Sequence, residues 1–198
     1  MATAEIELKF TVKDTSSFLH HALSVGFTIQ TPRTFERNAL FDTPDRRLRQ
    51  EKQLLRIRQY GPQWRVTHKR PPSQAEEDSL TGYKFRYETE TTVEDGEAMG
   101  AIFVELGLRP VFRYEKFRTE LEDSTSSGHL VLDETPIGTF AELEGDPAWI
   151  EDTLVRLKIS PAECFTDSYG RLFLDWKART NSPAENLTFD EIGTLASV

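Results

Sequence analysis

Charged and apolar side chains alternate near the start of the chain. Glu5, Glu7 and Lys9 occupy alternate positions, and an apolar residue follows each of them. In a β-strand this spacing puts the charged groups on one face and the apolar groups on the other. Two carboxylates beside an ammonium group could hold a divalent cation next to an anion. For this segment taken alone, a solvated strand face with mixed charges is the plain alternative.

Later segments repeat this construction, and one sign of charge dominates each of them. Arg56 and Arg58 share a face of one predicted strand, whereas Glu142 and Glu144 share a face of another. The predicted strands cover residues 3–12, 34–43, 54–60, 63–70, 83–93, 109–122, 129–134 and 137–145. If such strands close into a barrel with an apolar outer face covered by helices, their charged faces converge on a lumen that holds a highly charged ligand.

Local signals place helices between these strands. Asp14 precedes a segment with helical apolar spacing, and Gly26 is a natural helix end. Further helices are predicted over residues 97–106, 147–158 and 161–178, the first with Met99, Ile102, Phe103 and Leu106 on its packed face. The polar, proline-bearing stretch 71–79 predicts a flexible loop. We expect one domain over residues 1–179 and a loosely ordered tail over residues 180–198.

Composition limits the classes of protein to consider. A chain of 198 residues is long enough for one domain with a substantial core. The formal net charge of −9 argues against nucleic-acid binding, which depends on a basic surface. The single cysteine cannot form an internal disulfide, and no apolar run is long enough to span a membrane. These features predict a soluble, cytoplasmic protein that binds its anion in a local basic pocket.

Charged motifs also follow one another in a fixed order along the chain. They are Glu5-x-Glu7-x-Lys9, Phe41-Asp42-Thr43, Arg56-x-Arg58, Lys69, Arg86-x-Glu88-x-Glu90, Lys116-x-Arg118, Asp133 and the segment 140–145. This ordered set resembles the CYTH superfamily, also called triphosphate tunnel metalloenzymes, from about residue 3 to about residue 178. The superfamily includes class IV adenylate cyclases, thiamine triphosphatases and inorganic triphosphatases. The resemblance implies an α+β fold in which eight antiparallel strands form a closed tunnel, open at both ends, with helices packed outside.

The resemblance also implies roles for the charged residues. Arginine and lysine donate the charge-assisted hydrogen bonds that phosphoryl oxygens accept best. The predicted triphosphate ligands are Lys9, Arg56, Arg58, Lys69, Arg86, Lys116 and Arg118. Carboxylates suit Mg²⁺ or Mn²⁺, and the predicted metal ligands are Glu5, Glu7, Asp133, Glu142 and Glu144. Lys9, Glu88 and Glu90 are the catalytic candidates, although the two glutamates could instead hold basic residues in ion pairs.

One segment departs from the family pattern. Many members carry a basic residue shortly before a Ser-Tyr pair on the last helix, but the run from Cys164 to Tyr169 contains no lysine or arginine. Arg171 could substitute for it from the next turn. The expected function is metal-dependent hydrolysis of an inorganic, thiamine or nucleoside triphosphate by a monomer or homodimer. A class IV-type adenylate cyclase, which makes cyclic AMP and pyrophosphate from ATP, and a non-catalytic polyphosphate or nucleotide binder are the alternatives.

Overall fold

A closed β-barrel forms the centre of the protein. The computed structural model describes residues 3–79, 82–124 and 126–195, which contain nine strands. The strands are β1 (Thr3–Val12), β2 (Phe27–Asp42), β3 (Leu54–Tyr60), β4 (Gln63–Arg70), β5 (Lys84–Val93), β6 (Arg109–Asp123), β7 (His129–Thr135), β8 (Gly138–Glu144) and β9 (Cys164–Phe165). Eight of them pair in the order β5-β4-β3-β2-β6-β7-β8-β1, and β1 also pairs with β5. All of these pairs are antiparallel, so the predicted eight-stranded closed barrel is confirmed.

The strand register brings the charged residues together on the inner face. Glu7 lies opposite Glu144, and Lys9 lies opposite Glu142, where β1 pairs with β8. Because side chains alternate along a strand, the intervening residues of β1 point outward. Phe10 is one of them, and it is almost completely buried beneath the surrounding helices. The β1 pattern therefore separates the charged lumen from the apolar core outside the barrel.

Helices cover this apolar outer face. They are α1 (Thr15–Ser24), α2 (Arg47–Gln50), α3 (Gln74–Ser79), α4 (Gly96–Glu105), α5 (Pro147–Leu157), α6 (Tyr169–Thr180) and α7 (Phe189–Leu195). Asp14 and Asp146 cap the first turns of α1 and α5 through side-chain hydrogen bonds to backbone N–H groups. Ile150 and Leu154 of α5 then pack against the barrel core. Within the described ranges, none of these helices has the length and apolarity needed to span a membrane.

The segment before α7 is folded onto the barrel, so the predicted loose tail is wrong as far as residue 195. Leu187 is fully buried, and its backbone exchanges hydrogen bonds with Arg113 and Glu115 of β6. Ile192 of α7 packs in the same apolar cluster as Phe173 of α6. The segment contains few apolar residues, but they lie where β6 extends beyond its pairing with β7. Tertiary packing, and not local patterning, therefore orders it.

Two further local predictions need correction. The stretch predicted as a flexible loop contains α3, whose first turn is stabilised by hydrogen bonds from Ser73 to Glu76. On α4, Ile102 and Leu106 are exposed although they were predicted to be packed. Helix α4 instead approaches the sheet closely at its first residue, Gly96, where a Cβ atom would lie only 2.1 Å from the Trp64 ring. The absence of a side chain at this position allows the start of the helix to pack against Trp64.

The start of α4 offers a direct test of this close packing. A Cβ atom at Gly96 would overlap the indole ring of Trp64. We expect Gly96→Ala to lower the free energy of unfolding by about 2 kcal/mol, because the ring and the helix must move apart. Gly193→Ala in α7 is the matched control, since a Cβ there meets no atom within 4 Å. Urea unfolding of both variants measures the effect, and equal stability would contradict this packing.

Candidate functional site

The barrel encloses a highly charged cavity of about 710 Å³. Among the described residues, eleven lysine and arginine side chains and eight glutamates line it, together with two tyrosines. Every predicted site residue lines this cavity except Asp133. The inner faces of strands from opposite sides of the barrel therefore bring together residues that are more than a hundred positions apart in the sequence.

Asp133 lies behind the cavity wall and is completely buried. Its carboxylate accepts hydrogen bonds from Lys116 Nζ at 2.8 Å and from Arg118 Nε at 2.7 Å. Arg118 also donates through a second nitrogen at 2.6 Å, and the Tyr169 hydroxyl donates a fourth hydrogen bond at 2.7 Å. These donors occupy both carboxylate oxygens, so the structure does not group Asp133 with the other predicted metal ligands. It holds Lys116 and Arg118 in fixed positions on the wall.

Glu36 is a second buried carboxylate, and it is not among the site residues predicted from the sequence. Burial alone would raise the pKa of Glu36, but Lys116, Arg118 and Arg58 overcome this effect and lower it to about 2. The carboxylate lies 3.4 Å from Lys116 Nζ and 3.7 Å from an Arg58 nitrogen. Asn38, two residues along β2, also donates to it. Alternation of Glu36 and Asn38 on one strand face was the available signal.

Carboxylates also neutralise the basic residues of β3 and β4. Lys69 Nζ lies 2.6 Å from Glu5 and 3.2 Å from Glu88. Arg58 donates to Glu90 at 2.9 Å, and Glu90 accepts two further hydrogen bonds, from Arg65 and Thr67. Glu90 is thus fully engaged in holding other side chains, which favours the ion-pair interpretation for this residue. Glu88 is less constrained, because its contacts with Lys69 and Arg56 are longer.

Two arginines of β3 have unused hydrogen-bond donors. The Nε groups of Arg56 and Arg58 are buried and have no acceptor among the described residues. A buried N–H without a partner is costly, typically by about 1–3 kcal/mol. Binding of an anion beside these side chains would supply acceptors and remove part of this penalty. The β3 face is therefore suited to an oxygen-rich anion.

Lys9 connects the basic and acidic sides of the lumen. Burial would lower its pKa, but the nearby Glu142 and Glu7 carboxylates raise it, so its ammonium group stays charged. Lys9 forms an ion pair with Glu142, and Arg118 reaches the other oxygen of Glu142 at 3.0 Å. Glu142 is accordingly held by two cations. Its pKa is well below the usual range because these charges outweigh the effect of burial.

The remaining carboxylates crowd one another. Burial raises the pKa of Glu144 to about 7, and the charges of Glu5 and Glu7 add to this shift. Lys84 was also not among the site residues predicted from the sequence. It forms an ion pair with Glu7. Across residues 3–79, 82–124 and 126–195, no three carboxylate, histidine or cysteine groups are placed to hold a metal ion as they stand. The carboxylates of Glu5, Glu7 and Glu144 are nevertheless ligands of the type that a hard divalent cation prefers, and such a cation would relieve their mutual repulsion.

Tyr169, at the start of α6, connects this helix to the lumen. Its buried ring lies 4.8 Å from Lys9 Nζ and 4.9 Å from Lys116 Nζ, measured to the ring centre. The hydroxyl donates to Asp133, as described above. Ser168 caps the helix through the backbone N–H of Arg171, which fixes where α6 begins. One aromatic side chain therefore contacts two predicted triphosphate ligands and the carboxylate behind them.

Removal of the Tyr169 hydroxyl tests this connection. We expect Tyr169→Phe to lower the free energy of unfolding by about 1–2 kcal/mol, because Asp133 loses one buried hydrogen bond while the ring contacts remain. Tyr83→Phe is the control, because the Tyr83 hydroxyl donates at 3.1 Å to Glu151 at an exposed site. Chemical denaturation compares the two variants. If both lose the same stability, the buried hydrogen bond does not hold α6 in place.

Sequence comparison identifies relatives of the whole barrel. The family model described as CYTH domain matches residues 3–154. A protein of Methanocaldococcus jannaschii that carries the name "Putative adenylate cyclase" is 31% identical over 142 residues, which cover 71% of this chain and 75% of that protein. The family model's match to residues 3–154 includes β1 through β8, which together form the closed barrel. Sequence and structure thus agree on the part of the chain that encloses the cavity.

Solved structures share this architecture. A Vibrio parahaemolyticus protein, also named "putative adenylate cyclase", superposes with a TM-score of 0.73 at 19% identity, covering 88% of this chain and 99% of that one. A Hippeastrum protein, described as a "Putative adenylyl cyclase" that "reveals a dominant" triphosphatase activity, gives a TM-score of 0.63 at 19% identity, covering 89% of this chain and 96% of that one. At such identities these matches show the fold alone. Together with the family-model match, they lead to the conclusion that the chain belongs to the CYTH family.

Proposed function

We propose that this protein hydrolyses a triphosphate inside the barrel, with a divalent metal ion as cofactor. The observation that carries the proposal is the arrangement of charge in the lumen. Lys116, Arg56 and Arg58 present donors on one side, whereas Glu5 and Glu7 lie on β1. A polyanion bound to a divalent cation matches both sides, because its oxygens meet the donors and its metal meets the carboxylates.

The charge balance supports a metal-bound ligand. Eleven basic side chains face eight glutamates in the cavity, and Asp133 and Glu36 add two negative charges behind the wall. The lumen is therefore close to neutral and does not itself compensate the several negative charges of a triphosphate. A divalent cation held by Glu5, Glu7 and Glu144 would supply the missing positive charge.

Each group then has a defined task. Lys9, Lys116 and Arg118 bind the oxygens of the oligophosphate, and Asp133 keeps two of these cations in position. Glu5, Glu7 and Glu144 would hold Mg²⁺ or Mn²⁺. When bound, the ion supplies charge neutralisation at the phosphoryl oxygens and lowers the pKa of a coordinated water.

Glu88 is the residue that we assign to the attacking water. Its carboxylate is less constrained than that of Glu90 and lines the cavity. Water attacks the terminal phosphorus in line, its proton passes to Glu88, and the bond to the bridging oxygen breaks. The products are orthophosphate and diphosphate, or the corresponding organic diphosphate. Lys9 stabilises the charge that develops on the transferred group, because its ammonium remains protonated.

Adenylate cyclase activity is the second candidate, and the names of the relatives are what favour it. A cyclase must hold adenine as well as the phosphates. The ring of Tyr114 stacks against both Phe112 and Tyr169, and the ring of Tyr169 also contacts Lys9 and Lys116, so neither ring is placed to stack on adenine. The triphosphatase activity described for the Hippeastrum protein supports hydrolysis as the main reaction of this barrel.

Product analysis with ATP separates the two reactions. The protein is incubated with ATP and with Mg²⁺ or Mn²⁺, and a chelator serves as the control. Orthophosphate and ADP formed only with metal are the expected products. Cyclic AMP and pyrophosphate would instead assign the cyclase reaction. Inorganic triphosphate and thiamine triphosphate are tested in parallel, and the rates of product formation rank the three substrates.

A further inference from the structure

Two basic side chains at one mouth of the cavity have no acidic partner. Arg49 and Lys52 line the cavity, but neither forms an ion pair with any residue in the described part of the chain. The other basic residues of the lumen are neutralised by carboxylates, apart from Arg86, which donates to a backbone carbonyl. Arg49 and Lys52 are therefore positive charges that the protein itself does not compensate.

The backbone that carries these two residues is held in a defined conformation. Both follow β2, in the connection that contains α2. The buried Asp42 carboxylate accepts hydrogen bonds from the backbone N–H groups of Leu48 at 2.9 Å and Arg49 at 3.1 Å. Lys52 adopts a left-handed backbone conformation with φ of 55°, which is uncommon for a residue with a side chain. Such conformations are often found at functional sites.

The start of α6 lines the same cavity. Ser168 and Gly170 contribute to its wall, and the first N–H groups of an α-helix have no acceptor within the helix. This end of a helix attracts anions. The buried Arg56 Nε group, which also lines this cavity, is a further donor without an acceptor among the described residues. The start of α6, Arg56 and the two uncompensated cations thus line one cavity.

The opposite end of the cavity has the reverse charge. Glu120 and Glu122 line it near the start of β2, where they lie opposite Thr31 and Thr28 in the register. Arg49 and Lys52 follow the end of the same sixteen-residue strand. The two glutamates therefore lie near the start of β2, whereas the two cations lie beyond its end. An elongated anion would bind with one phosphate group near the cations and away from these glutamates.

We propose that this mouth is a phosphate subsite, in which Arg49 and Lys52 contact the end phosphate of inorganic triphosphate that lies opposite the attacked phosphorus. The inner cations bind the two other phosphate groups. This inference rests on the proposed function for the nature of the ligand, but it concerns binding and not turnover. It predicts that the two residues distinguish a triphosphate from a diphosphate, because only the longer anion reaches both the inner cations and the mouth.

Calorimetric binding of inorganic triphosphate and diphosphate tests the subsite. The measurements use the Glu5→Gln/Glu7→Gln protein, so that hydrolysis does not interfere. Adding Arg49→Gln and Lys52→Gln is expected to raise the Kd for triphosphate at least about tenfold, while the Kd for diphosphate changes less than about twofold. Lys13→Gln/Arg179→Gln is the matched control, because it removes the same charge from exposed positions outside the cavity.

The outcomes separate the subsite from the proposed reaction. If the Arg49/Lys52 variant behaves like the control, or weakens both anions equally, the subsite is wrong even when the wild-type protein hydrolyses triphosphate. If the variant selectively loses triphosphate affinity but the wild-type protein shows no metal-dependent hydrolysis, the subsite stands and the reaction is wrong. If the Glu5→Gln/Glu7→Gln protein binds neither triphosphate nor diphosphate, both the subsite and the proposed function are wrong.

Discussion

Replacement of Glu5 and Glu7 by glutamine is expected to lower metal-dependent triphosphate hydrolysis by about a thousandfold. These carboxylates lie on the inner face of β1, and with Glu144 they form the crowded acidic region of the lumen. Glutamine keeps the size and an oxygen acceptor for Lys69 and Lys84, but it removes the charge that a divalent cation needs. Turnover is measured at saturating metal, and circular dichroism verifies that the barrel is folded.

Glu94→Gln/Glu105→Gln is the matched control for this variant. It also removes two negative charges, but from exposed positions outside the cavity. We expect its turnover to stay within about twofold of wild type. The Glu5/Glu7 variant should bind triphosphate in the presence of chelator at least as tightly as wild type, because two repulsive charges have been removed. Metal-dependent activity that survives both substitutions would exclude Glu5 and Glu7 as metal ligands.

Asp133→Asn is expected to have the largest effect on stability. The carboxylate is completely buried and accepts hydrogen bonds from Lys116, Arg118 and Tyr169. Asparagine leaves two buried cations without their main counter-charge, and breaking a buried ion pair in this way typically costs about 3–5 kcal/mol. We expect a loss at the lower end of this range, because Glu36 and Glu142 still compensate part of the charge. Urea unfolding measures it.

Asp175→Asn provides the comparison for Asp133→Asn. Asp175 pairs with Arg171 one turn away on the exposed face of α6, and exposed pairs of this kind contribute less than about 1 kcal/mol. The Asp133 variant should also lose activity, because Lys116 and Arg118 are no longer fixed. A free energy of unfolding equal to that of the Asp175 variant would show that Asp133 does not organise the cationic wall.

The barrel could be predicted because its main signal is local. Alternation in β1 identifies both faces of the strand from six consecutive residues, and the structure places its charged face in the lumen. The same logic found Arg56, Arg58 and Lys116. The short apolar segment around Leu187 lacks such a pattern, because its burial depends on the exposed end of β6. Its order could not be predicted from local sequence.

Local sequence patterns also did not predict which residues contact the site residues. Whether a carboxylate faces a metal site or lies behind the wall depends on which donors surround it in space. Asp133 and Glu142 are both acidic residues on late strands, yet only Glu142 lines the cavity. Tyr169 meets Lys9 across 160 positions of sequence, a separation that strand periodicity does not address. The ligand set could therefore be identified more readily than the network that holds it.

Phosphorus NMR of inorganic triphosphate incubated with the wild-type protein tests metal-dependent hydrolysis in this barrel most directly. Inorganic triphosphate carries no organic group, so the result depends on the charged lumen alone. With Mg²⁺ or Mn²⁺ we expect the triphosphate resonances to be replaced by those of diphosphate and orthophosphate, and with chelator we expect no change. Equal conversion with chelator would contradict metal dependence, and no conversion with either metal would contradict triphosphate hydrolysis in this barrel.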